Sequence, residues 1–361
     1  MTGTDAGYAI LGAGIFAKIA HLPALAELGA GGLKAVYSRS EKSTRELAAL
    51  AQEKLGLSAP PAVHYDSPSP PAEATLDALL AREDIKAVIV VLPITTQPTI
   101  VLKALEAGKH VISEKPVAPD VKAAKALIKA YEGTYKYKGL IWRVAENYEA
   151  ETGFQKVGAL VKEGKIGDVT GFRVRIANHM QEDNEWYKTP WRTVPDYQGG
   201  FLLDGGVHFA AALRVMLPSP IINLTGFAAL HRKFLAPHDT IHAAVRTESG
   251  ASGTFELTFA APSSDLGSDN GFTIIGSKGF ITVRTSDGKQ KIEVHVTDAE
   301  TETIETKLAG VELELKSFLK AIAGEDDDTQ EPRSALKDLA FIEAALTSNG
   351  SLVDLSSLGS M

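Results

Sequence analysis

Apolar and polar positions follow two different rhythms along this 361-residue chain, and the rhythm changes near residue 140. Short β-rich runs at 8–11, 33–37, 85–92 (IKAVIVVL) and 110–113 are separated by stretches with apolar residues at helical spacing, at 15–28, 41–55, 97–107 and 120–131. Near-continuous apolar strands are what a parallel sheet covered on both faces requires. Asp120 reads as a helix N-cap and Gly108 as a helix C-cap. The Pro-rich stretch at 60–71 reads as surface loop around one edge strand near Val63. Repeated strand-helix-strand units predict an α/β fold: a Rossmann-type doubly wound parallel sheet over residues 1–140.

Beyond that point a strand (140–144) and a helix (154–162) lead into a strand at 169–176, and an apolar helix follows Asp204. Runs at 240–246, 253–259, 272–275, 279–283 and 291–297 are then separated by turn residues at hairpin-like intervals. This predicts a second α/β domain, residues 141–361, built on an open, mostly antiparallel sheet. Helical periodicity returns over 311–348, and those last helices are assigned to the same domain.

Composition narrows the function classes. The net charge of −8, with no basic run, argues against nucleic acid and anionic membranes as partners. Cysteine is absent, which excludes disulfides and thiolate metal sites. The start, 1–7, is short and polar and shows no secretory signal, and no apolar run is long enough to span a bilayer. A cytoplasmic protein acting on a small molecule is the expectation.

Gly12-Ala13-Gly14-Ile15-Phe16-Ala17 fits G-x-G-x-x-G/A directly after the first strand. The first glycine makes the tight turn and the second lets backbone approach a pyrophosphate. A small third residue lets helix pack on strand, and the helix N-terminus faces the phosphates. At the end of the second strand stand Ser38, Arg39 and Ser40, with no acid before Glu41. An NAD site places Asp or Glu there, whereas Arg between hydroxyls suits a 2′-phosphate, so NADP is favoured over NAD. Glu114-Lys115-Pro116 ends another strand, at the edge of a parallel sheet where ligands bind. An ammonium there can polarise a carbonyl or hold an alkoxide.

Farther on, Asp204 and His208 are spaced to share a helical face, with Asp204 read as the N-cap. A carboxylate beside an imidazole orients it for proton transfer, although a plain cap and a packed histidine would give the same pattern. The segment 179–198 carries Trp186, Tyr187, Trp191, Arg192 and Tyr197, including two of the three tryptophans, and reads as a substrate loop or a packed interface. His179, His208 and nearby acids form no recognised ligand set, so no metal is expected.

The ordered set G-x-G-x-x-A, Glu-Lys-Pro about a hundred residues on, then Gly-Gly-x-x-x-Asp-x-x-x-His resembles the glucose-fructose oxidoreductase / inositol dehydrogenase (Gfo/Idh/MocA) family. The similarity spans nearly the whole chain and includes Gly164-Lys165-Ile166-Gly167. It implies an oxidoreductase acting on CH–OH groups, with Lys115 as electrophile, His208 as general acid/base and Asp204 as its charge partner. Gly12, Gly14, Ile15, Phe16, Ser38, Arg39, Ser40, Pro93, Glu114 and Lys115 are expected to line the dinucleotide. Trp186, Tyr187, Trp191, Arg192 and Asn147 are the expected substrate residues, and the substrate is expected to be a sugar, polyol, dihydrodiol, or small aldehyde or ketone. Relatives cover the open sheet by pairing subunits, which implies a homodimer or homotetramer. Two departures bear on substrate: Glu146-Asn147-Tyr148 replaces an Arg-aromatic pair, and Gln97 stands where His is frequent. Two other classes known in such proteins remain open, a non-catalytic dinucleotide-binding regulator and a glycosidase that works by transient oxidation with bound NAD.

Overall fold

A computed structural model describes residues 7–359; the expectation about a leader falls on residues 1–6, outside the described residues. The chain divides into two compact units. One comprises residues up to Asn147 together with Val311–Arg333, and the other Tyr148–Gly310 together with the residues from Ser334 onward.

The first unit holds a six-stranded sheet of β1 (Tyr8–Leu11), β2 (Leu33–Ser40), β3 (Ala62–Ser67), β4 (Ala87–Val90), β5 (His110–Glu114) and β6 (Trp142–Ala145). Their spatial order is β3-β2-β1-β4-β5-β6 and every pairing is parallel. β1 and β4 are buried along their whole length, as central strands covered on both faces must be. The order reverses between β1 and β4, which opens a crevice at their carboxyl ends. β3, which carries the Pro-rich flanks, is an edge strand as its sequence predicts.

Two details differ from the sequence expectation. The segment 15–28 is not one α-helix: a π-helical turn, Ala17–His21, precedes the helix Leu22–Glu27. The helix Gly310–Ile322, expected in the second domain, belongs mostly to the first unit. Its Leu315, Phe318 and Leu319 join Tyr8, Ile10, Leu22, Leu25 and Ile112 in one buried cluster. Apolar periodicity reveals that a helix has a buried face, but not which sheet covers it.

The second unit holds a nine-stranded mixed sheet: β7 (Val169–Ala177), β8 (Ile221–Ala229), β9 (Thr240–Thr247), β10 (Ser252–Thr258), β11 (Gly271–Gly276), β12 (Gly279–Ser286), β13 (Lys289–Val296), β14 (Glu302–Lys307) and β15 (Val353–Asp354). The order is β14-β13-β12-β11-β7-β10-β9-β8-β15, antiparallel except for the β7–β10 pair. Val174, Phe255, Leu257, Ile274 and Ile281 are buried on one face, and Phe255 meets Phe341 of the helix Pro332–Thr347. Phe227, Ile275 and Phe280 are exposed. β8 and β14 escape sequence reading for definite reasons. Gly226 interrupts the apolar run of β8, and β14 (ETIETK) is a charged edge strand with a single apolar residue. No helix among the described residues is long and apolar enough to cross a membrane.

Candidate active site

In the first unit the dinucleotide fingerprint sits at the strand-order reversal. Gly12 donates its N–H to the carbonyl of Tyr37, and Val91 donates to Leu11, both at 2.7 Å, so the loop is threaded between β2 and β4. Gly12 has φ +127°, and a Cβ there would lie 2.0 Å from the Val91 carbonyl oxygen. Only glycine fits. Nothing stands within 4 Å of where a Cβ on Gly14 would be, which leaves that backbone open to a ligand. Ile15 and Phe16 begin the helical segment, and Ala17, the small third position, is fully buried.

At the end of β2 three hydroxyls gather. Ser40 caps the helix Glu41–Leu55 by accepting from the Ser43 N–H at 3.2 Å. The Ser40 and Ser43 hydroxyls lie 2.7 Å apart, and Ser43 Oγ reaches Ser38 Oγ at 3.3 Å. Arg39 between them is exposed. Ser43 was not singled out from sequence, although its place three residues after a capping serine is a readable signal. Asp66 of β3 accepts from the Tyr37 hydroxyl at 2.5 Å. Burial, and then the Asp66 carboxylate, push the Tyr37 phenol well above its ordinary range.

Beyond β4, the Pro93 carbonyl accepts from Thr96 and Gln97 N–H groups at 2.9 and 3.2 Å. The Gln97 side chain is 1 % exposed, yet neither its amide nitrogen nor its oxygen has a hydrogen-bond partner among the described residues. Glu114 ends β5 and Lys115 follows it, with a cis peptide to Pro116. Glu114 Oε1 lies 2.7 Å from Nε2 of the fully buried His21. With Glu314 these two form a cluster whose ligand-type atoms lie within 4.8 Å of one another. Two ligands of one tetrahedral zinc would stand about 3.4 Å apart. The His21–Glu114 separation is that of a hydrogen bond instead.

In the second unit Asp204 and His208, the pair expected from sequence to transfer a proton, sit on the helix Gly200–Met216. Here the sequence reading needs correcting. Asp204 is not the N-cap, because Gly199 (φ +95°) and Gly200 (φ +49°) turn the chain into the helix a full turn earlier. Asp204 is therefore an interior residue, 4 % exposed, with Arg192 Nε donating to its Oδ2 at 2.8 Å. The ion pair is what lets a carboxylate sit inside a buried helix.

Arg192 organises much of the aromatic loop. Its guanidinium lies 4.0 Å from the Trp191 ring centre and 5.7 Å from that of Trp186, and it donates to Thr189 Oγ1 at 3.1 Å. Tyr197 donates to the Gly200 carbonyl at 2.8 Å; burial first, and then the Asp204 charge, push its phenol far above the ordinary range. Tyr187 is buried, its hydroxyl donating to the Phe234 carbonyl at 2.8 Å. Trp186, Trp191 and Arg192 are half-buried.

His208, one turn after Asp204, stacks on Tyr148 with ring centres 4.8 Å apart and planes at 27°. Arg214 of the same helix donates to Glu149 Oε2 at 2.7 Å and to Asp338 Oδ1 at 2.8 Å, which ties the Tyr148 segment to the His208 helix. Sequence reading chose Asn147, which begins the short helix Asn147–Ala150 and is half-buried, and passed over Tyr148 beside it.

Comparisons with known proteins find likeness along nearly the whole chain. Residues 6–137 match the family described as oxidoreductase family, NAD-binding Rossmann fold, and residues 154–282 match the GFO/IDH/MocA C-terminal domain. A Fusarium mangiferae protein named Dehydrogenase FPY6 is 37% identical over 357 residues, which covers 95% of this chain and 96% of that protein. The crystal structure of an oxidoreductase from Thermotoga maritima superposes with a TM-score of 0.84 at 32% identity, covering 98% of this chain and 99% of that one. An aldose-aldose oxidoreductase from Caulobacter crescentus shares the fold at a TM-score of 0.76 and 20% identity, covering 97% and 100% of the two chains.

Proposed function

Because this chain belongs to the Gfo/Idh/MocA oxidoreductase family, with an NAD(P)-binding Rossmann domain, we propose that it is an NADP(H)-dependent dehydrogenase or reductase. Its substrate is a carbonyl or hydroxyl carbon of a sugar, polyol, dihydrodiol, or small aldehyde or ketone. What supports this reading is that each unit carries part of the chemistry such a reaction needs. Lys115 stands at the carboxyl end of β5, and Asp204 and His208 lie one turn apart on one helix.

The residues fit a dinucleotide. Gly14 leaves its backbone open to a pyrophosphate, and the Gln97 amide has hydrogen-bonding capacity to offer. Arg39 with the Ser38, Ser40 and Ser43 hydroxyls suits a 2′-phosphate. When bound, the nicotinamide supplies or accepts a hydride at C4. In the reducing direction the Lys115 ammonium stabilises charge growing on the substrate oxygen, and His208 delivers the proton there. Asp204 and the Tyr148 ring hold the His208 imidazole in orientation, and Trp186 and Trp191 exclude water.

The exposed Phe227, Ile275 and Phe280 of the nine-stranded sheet support a homodimer or homotetramer that covers this face. Light scattering on the purified protein reads that state directly. A panel of sugars, polyols, diols, aldehydes and ketones followed by NADPH absorbance tests the activity. Dinucleotide binding without turnover of any class would overturn the enzymatic reading.

A further inference from the structure

His21 lies outside the dinucleotide fingerprint, yet it touches both ends of the first unit's machinery. It closes the π-helical turn Ala17–His21, in which Leu22 N–H reaches back to the Ala17 carbonyl. The extra residue of a π turn rotates the succeeding residues by about 100° relative to an uninterrupted α-helix. The His21 side chain is 0 % exposed. Its ring meets Phe16 of the fingerprint edge to face, centres 5.1 Å apart at 87°. Its Nε2 bonds Glu114 Oε1 at 2.7 Å, one residue before Lys115. Glu314, also 0 % exposed, closes the cluster from the returning helix Gly310–Ile322 and accepts from Gln330 Nε2 at 3.4 Å.

We propose that His21 is a positioning residue: through its bond to Glu114 it fixes the strand end that presents Lys115 against the loop that binds the dinucleotide. The inference rests on the reading of Lys115 as the electrophilic lysine. The Nδ1 of His21 has no partner among the described residues. The ring thus makes a single hydrogen bond, through Nε2 to the Glu114 carboxyl group. Misplacing a reacting group by about 1 Å can cost about 10²-fold in rate. Through one buried bond, the phosphate-binding loop and the lysine share a single rigid reference. A histidine that merely filled the core would affect stability and nothing else.

Three variants separate these roles. His21→Leu removes the bond, and His21→Asn keeps a polar side chain too short to reach Glu114 and serves if the Leu variant does not fold. His21→Gln places an amide nitrogen near the position of Nε2. With circular dichroism as the fold control, the Leu and Asn variants should lose about 10- to 100-fold in kcat, with substrate KM and NADPH Kd within about threefold of wild type. His21→Gln should restore most of the loss. Folded Leu or Asn variants with wild-type kcat, or loss of thermal stability with no kcat change, would overturn the proposal.

A second readout needs no turnover. Bound dinucleotide should shield Lys115 from reductive methylation, read by peptide mass spectrometry. That shielding should weaken in the Leu and Asn variants and persist in Gln. If the wild type turns over nothing, the functional reading fails while this measurement still decides the role of His21. Equal shielding in all variants would refute it.

Discussion

Arg192 donates its Nε–H to the buried Asp204 at 2.8 Å while its guanidinium lies 4.0 Å from the Trp191 ring. One cation thus orders part of the aromatic loop and supplies a counter-charge to a carboxylate proposed to serve His208. Breaking a buried ion pair from one side typically costs about 3–5 kcal/mol, since it leaves a charge in low dielectric. Arg192→Leu should therefore lower the melting temperature and raise KM together. Arg192→Lys, which keeps the charge without the planar fork, should recover only part of each. An unchanged melting temperature in Arg192→Leu would show that Asp204 does not depend on this pair.

Coenzyme preference is addressed by Arg39, exposed among the hydroxyls of Ser38, Ser40 and Ser43. Arg39→Asp should weaken NADPH by at least about tenfold, the equivalent of one charge-assisted contact, and leave NADH nearly unaffected. Titration by fluorescence of the reduced dinucleotide measures both. Equal affinity of the unmodified protein for the two would contradict the preference.

For the chemical step, Lys115→Ala should lower kcat by about 10²–10³ with NADPH affinity largely retained. His208→Ala should lower it by about 10²–10⁴. Asp204→Asn should act less severely, because it keeps a polar group facing Arg192. Full activity in folded Lys115 and His208 variants would remove the basis of the mechanism.

Stability should also respond to pH through His110. Burial lowers its pKa, and its Nδ1 accepts the Ile141 N–H at 3.1 Å, so the fold binds the neutral ring. Just below the ordinary imidazole pKa of about 6.5 the unfolded chain takes up a proton that the folded ring refuses. Stability contributed by this site is present above that value and is lost as pH falls through the window. His110→Asn places a non-titrating acceptor at the same point. Its melting temperature should fall less than that of the wild type between about pH 7.5 and about pH 5.5. Parallel curves would assign the effect to His64 and His238, whose pKa values burial also lowers.

The parts legible in the sequence were those whose physics is local. Gly12 can be read because its steric demand is set by a turn, and Asp120 because its side chain caps its own helix, accepting from Ala123 at 2.7 Å. The parallel sheet was legible because β1 and β4 are apolar without interruption. Asp204 misled because Arg192, which neutralises it, lies twelve positions away in the short helix Pro190–Thr193, so its neighbours suggested only a cap and a place beside His208. His21, Glu114 and Glu314 share no spacing; the fold alone brings them together. Tyr148 carries no mark in sequence that it will meet the face of His208.

The return of Gly310–Ile322 to the first unit bears on how the protein is made. Leu315, Phe318 and Leu319 belong to the core around β1, and Glu314 belongs to the cluster beside Lys115. During synthesis the residues up to Asn147 are made before the whole of 148–310, and the segment Val311–Arg333 that completes their unit follows only then. Until then its apolar sheet face lacks part of its cover, the condition in which nascent chains recruit chaperones. A fragment released after Asn147 is expected to be protease-sensitive, and adding the 310–333 segment in trans should protect it. The first unit therefore waits on a segment made long after the rest of it before its core can close.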